Sequence, residues 1–138
     1  MTQTVFKIKR PEKLKIMISV VPNRRVFLMY VSVTALKAKG FLSAIRFWLL
    51  AVPVFKQAKS SAGVLFCDVK SVDGFHHTLT IWKIKKDMRK FVLSPIHMRA
   101  MKMFPKIATG STIGYEADKI PRWDEALLMW RQSAVNYN

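Results

Sequence analysis

VLFCDVKSVDGFHHTLTIWK, residues 64–83, is the stretch on which the fold turns. Val64–Val69 reads as one strand and Phe75–Lys83 as its hairpin partner, with Ser71–Gly74 as the turn between them. In the second strand Thr78, Thr80 and Trp82 alternate with Leu79 and Ile81, so one face is hydroxyl-rich and the other aliphatic. His76 and His77 fall on opposite faces of it.

Upstream, Val26–Leu36 (VFLMYVSVTAL) alternates in the same way. Tyr30, Ser32 and Thr34 share one side, and Met29, Val31 and Val33 the other, which predicts a strand. After Gly40 a helical stretch of about 20 residues carries Ile45, Trp48, Leu49, Val52 and Phe55 at helical spacing, with a kink expected at Pro53 and a stop near Gly63. Downstream, a helical region begins near Lys85, and Ser94-Pro95 starts a new segment in which Ile96, Ala100 and Phe104 face inward. Ile107–Tyr115 is the last strand. A final helix opens at Pro121, with Trp123, Leu127 and Trp130 as its docking stripe and Asp124 and Glu125 near its positive end.

The order β-α-β-β-α-β followed by a helix is that of an α+β, ferredoxin-like split βαβ domain. Residues 25–138 form this domain, and residues 1–24 a basic N-terminal arm. A four-stranded sheet with helices on one face leaves Met29, Val31, Val33, Leu79 and Ile81 on the other. Burying them by pairing two sheets predicts a homodimer.

The composition narrows the function classes. Twenty-four Lys and Arg against eight Asp and Glu give a net charge of +16, concentrated in residues 1–25 and 83–106. Such a field attracts nucleic acid, an anionic membrane surface or an acidic protein without specifying which. The sheet lacks the aromatic pattern of an RNA-recognition module. Cys67 is the only cysteine, which excludes an internal disulfide and fits the cytoplasm. Phe41–Phe55 is the apolar run that most suggests a membrane span. Arg46 and Pro53 interrupt it and it is short of the roughly 20 residues a span needs, so it reads as a core helix.

No zinc spacing, phosphate loop, dinucleotide fingerprint or nucleophile elbow is present. His97 and Met101, four residues apart on one helix, share a face that could approach a haem or a bound substrate. Trp82, on the face of Thr78 and Thr80, is placed to wall an apolar pocket between sheet and helices.

The residues Thr78-Leu79-Thr80-Ile81-Trp82, followed by Met88, Phe91, Ser94, His97, Ala100 and Met101, resemble the antibiotic-biosynthesis-monooxygenase superfamily. VSVTALKAKG in the first strand, Ala62-Gly63 and Pro121–Ala126 are most similar to the branch grouped with spheroidene monooxygenase. The likeness covers roughly residues 26–131. It implies a dimeric α/β barrel and a monooxygenase, cofactor-free or haem-using, that acts on a small apolar, conjugated or aromatic molecule. His97 and Trp82 would then be catalytic, and Tyr30, Ser32, Thr80 and Met101 would line the substrate pocket. The haem-ligand position of the haem-degrading members falls on Met101, with His97 one turn earlier as the alternative ligand. No metal site is expected. The rival reading is a non-catalytic basic accessory subunit, peripheral to a membrane or docked on an acidic partner.

Overall fold

Residues 27–137 are described by a computed structural model; the basic segment 1–24 and Val26 lie outside them. The described chain runs β1 (Met29–Ala38), α1 (Phe41–Ser60), β2 (Val64–Val72), β3 (Phe75–Trp82), α2 (Lys85–Val92), α3 (Pro95–Ile107), β4 (Ala108–Ala117), α4 (Trp123–Ser133) and β5 (Val135–Tyr137). The sheet is antiparallel in the order β2-β3-β1-β4-β5, the ferredoxin-like order with one short strand added at the β4 edge.

Register sorts the two faces. Tyr30 pairs with Trp82, Ser32 with Thr80, and Thr34 with Thr78 across β1 and β3. Between them Val31 pairs with Ile81 and Val33 with Leu79. On the far side of β1, Val31 faces Tyr115 and Val33 faces Ile113. A period of two therefore carries one aliphatic layer and one hydroxyl layer right across the three central strands. The hairpin expected from the sequence closes over Asp73 and Gly74, both at positive φ.

Two sequence expectations are corrected here. The aliphatic face is not open: Val31, Val33, Ile81 and Ile113 are 0 % exposed and Leu79 is 1 %. Helix α4 lies against it through Trp123, Ala126, Met129 and Trp130. This face therefore does not demand a second copy, because the chain's own C-terminal helix covers it. Glu125 secures that helix by accepting the Arg122 backbone N–H at 2.9 Å, and Arg122 in turn holds Asp124 in a two-point ion pair.

The second correction concerns α1, which is helical over the expected length but turned the other way. Phe47 and Ala58, each 2 % exposed, lead the inward face, with Leu50, Ala51 and Val54 beside them against α3 and the sheet. Ile45, Trp48, Leu49 and Val52, read as the core stripe, are exposed. Both sides of the helix are apolar, so spacing alone could not choose between them. What decides is the packing partner, α3, whose Ala100, Phe104 and Ile107 meet Phe47. Lys39 also ties the end of β1 to α3, donating to the Pro105 carbonyl at 2.9 Å.

Candidate functional site

The sheet face beneath α1, α2 and α3 is floored by small polar side chains. Along β3 the row is His76, Thr78, Thr80 and Trp82, with Ser32 and Thr34 of β1 opposite Thr80 and Thr78. Thr112 of β4 continues it: its hydroxyl lies 3.2 Å from that of Thr34 and donates to the Val33 carbonyl at 3.3 Å. Ser32, Thr34, Thr78 and Thr112 are half-buried, although three helices stand over this face. A serine or threonine fills less depth than a leucine, and these positions stay partly exposed beneath the helices.

At one end the large side chains close up. Trp82 is fully buried and donates its indole N–H to Thr80 Oγ1 at 2.9 Å. It stacks on Phe91 of α2 with centroids 5.5 Å apart, and Phe91 meets the edge of His97 at 4.9 Å. Tyr30 and Met88 complete the cluster, with half-buried Cys67 against it. The Tyr30 ring lies over Gly114, where any Cβ would collide with it. Burial pushes the Tyr30 hydroxyl up to about 12, against the pull of Arg89, and the Cys67 thiol up to about 11. Both stay protonated at neutral pH, so Cys67 is a packing residue rather than a nucleophile.

The residues proposed for the site thus separate. Trp82, Tyr30 and Thr80 sit together in the closed end, Ser32 belongs to the open floor, and Met101 packs among Phe47, Ala100 and Phe104. His97 reaches Trp82 only through Phe91. Burial lowers its affinity for a proton, opposed by the Val92 backbone, and its Nδ1 makes no hydrogen bond of good geometry among the described residues. This arrangement does not fit a haem: Trp82, Phe91 and Met88 occupy the space between sheet and α2, and Met101 and His97 lie in different clusters. Among the described residues no group of three or more His, Cys, Asp or Glu side chains could hold a metal ion.

At the other end of the row stands His76, which was not among the site residues expected from the sequence. Its Nδ1 lies 2.8 Å from the Ser71 hydroxyl, and its ring stacks on Phe47 at 5.3 Å beside the edge of Trp48. The alternation that placed Thr80 and Trp82 on this face also places His76 and Thr78 there, so the signal was present. On the opposite face His77 is buried against Trp130, whose indole donates to Ser111 at 2.8 Å.

With that geometry in view, no protein-family model and no curated protein matches the chain. Solved structures do. SnoaB, a cofactor-independent oxygenase from Streptomyces nogalater, matches with a TM-score of 0.55 at 12 % identity, over 67 % of this chain and 95 % of that one. An antibiotic-biosynthesis-monooxygenase-like protein of Deinococcus radiodurans gives 0.59 at 17 % identity, over 67 % and 96 %. One from Caulobacter crescentus gives 0.57 at 14 %, over 70 % and 93 %. The chain therefore has the monooxygenase-like ferredoxin fold of these proteins, and nearly the whole of each is represented in it. At these identities the likeness is one of fold.

Proposed function

We propose that this domain binds a small aromatic or conjugated molecule over the hydroxyl floor between the sheet and α1–α3, and oxidises it without a metal or haem. The observation that carries the reading is the half-buried row Ser32, Thr34, Thr78 and Thr112 framed by aromatic side chains. Apolar walls with a few placed hydroxyls suit a flat, greasy ligand bearing one or two oxygen substituents. A cofactor-free oxygenase needs a proton taken from its substrate before dioxygen can react with the resulting carbanion. Two histidines could accept it. His76 lies on the floor's own face with Ser71 on its Nδ1, whereas His97 stands behind Phe91, so His76 is our first candidate and His97 the second. Fold likeness to a cofactor-independent oxygenase agrees with this reading, and the conjugated substrate comes from the sequence resemblance. Cytoplasmic residence is part of the same reading, as is a homodimer joined through a surface other than the α4-covered sheet face.

The test is an absorbance titration with a polycyclic hydroxyaromatic such as an anthrone, followed by oxygen uptake. Saturable binding is expected, weakened about tenfold in a Ser32→Ala/Thr78→Val variant by the loss of one or two hydrogen bonds. Oxygen uptake should fall in His76→Gln while binding persists. Binding that is absent, or unchanged in the double variant, would remove the site. A non-catalytic basic module is the second reading, favoured by the +16 charge, and it predicts no oxygen uptake with any such compound.

A further inference from the structure

Helix α1 has a second apolar face that is open among the described residues except where the edge of Trp48 meets His76. Phe41, Leu42, Ile45, Trp48, Leu49 and Val52 are between 43 % and 80 % exposed. Their spacing of i, i+1, i+4, i+7, i+8 and i+11 makes one continuous stripe, about 16 Å long at 1.5 Å per residue. Around Ile45, Trp48, Leu49, Val52 and Pro53 it forms a shallow depression of about 530 Å³, lined almost wholly by apolar atoms.

The rim of this stripe is cationic. Arg46 flanks it, and Lys56 and Lys59 continue it toward the C-terminal end of the helix. No acidic residue occurs between positions 27 and 67. A large apolar stripe with basic flanks and an indole within it is the pattern of a helix lying in the interfacial layer of a bilayer.

We propose that the outer face of α1 docks the domain on an anionic lipid surface, with the helix axis in the plane of the membrane. Trp48 then sits at the depth where indoles partition, and the stems of Lys56 and Lys59 reach along the helix to lipid phosphates. Charge decides against two other occupants. A second copy would set one basic rim against an identical one, and the chain's own residues 1–25 carry seven basic side chains to one acidic. The near absence of polar atoms in the depression disfavours a protein partner, whose register is set by hydrogen bonds, whereas acyl chains need none. By length and composition α1 could cross a bilayer, but its opposite side is packed into the domain through Phe47 and Ala58, so the helix lies on the surface rather than through it.

The experiment uses the full-length protein with phosphatidylcholine vesicles, with and without phosphatidylglycerol. The protein should float with the anionic vesicles only. Brominated acyl chains should quench its fluorescence, and Trp48→Phe should abolish that quenching. A Leu42→Ser/Leu49→Ser variant, with its circular dichroism unchanged, should bind about tenfold more weakly or worse. No flotation would overturn the proposal. So would equal flotation of the double variant without quenching, which would assign the binding to residues 1–25 alone. Retention on polyglutamate in preference to vesicles would assign the face to an acidic protein instead.

Discussion

The two faces of the sheet are built from the same three central strands, yet their middle rows are buried to different degrees. Beneath the single helix α4, Val31, Val33, Ile81 and Ile113 are fully buried, while beneath three helices Ser32, Thr34, Thr78 and Thr112 stay half-buried. The number of covering elements is not what seals a face; the depth of the side chains is. Valine, isoleucine and leucine fill the space beneath α4, whereas the shorter serine and threonine side chains beneath α1 and α3 stay half-buried.

Substitutions can break that contrast. The largest effect is expected from Leu79→Ala on the closed face, which should cost about 2–5 kcal/mol in urea unfolding because neighbours fixed by α4 cannot collapse into the hole. Gly114→Ala should cost about 1–3 kcal/mol, since its methyl group displaces the Tyr30 ring in the closed end of the floor. Restoration of stability by a second change, Tyr30→Phe, would mean that the hydroxyl is the colliding group.

Protonation sharpens the comparison further. Burial lowers the proton affinity of His77 below the ordinary value of 6.5, with Arg131 adding to the shift, and His97 is lowered in the same direction. Each binds protons more readily when unfolded, so their contribution is fully present above pH 6.5 and is lost as the pH falls through the folded values. Melting temperature should drop between pH 7 and 5, and His77→Phe should flatten the slope. A slope unchanged in that variant would move the effect to His97. The smallest change is expected from Thr78→Ala: within about 1 kcal/mol in stability, yet a measurable loss of aromatic ligand binding. A loss of stability as large as that of Leu79→Ala would make the floor a second core instead of a site.

Much of this was readable in the chain. The two-residue alternation in β1 and β3 named both faces, and the Trp123, Leu127 and Trp130 stripe named the docking helix. His76 and Thr78 lie in the same alternating row as Thr80 and Trp82, but a histidine or threonine on a strand face carries no local signal that separates a site from ordinary packing. The assignment of α4 to the aliphatic face was not readable, because an amphipathic helix states that it packs but not against what.

By itself the sequence determined the element order as far as α4, the register-compatible faces and the basic character, since these depend on local spacing and on charge. Tertiary structure alone decided which apolar side of α1 turns inward, that Phe91 separates His97 from Trp82, and that α4 covers the sheet. Each of these is a choice between partners distant in the chain, settled by which surfaces fit, and no local pattern carries that information.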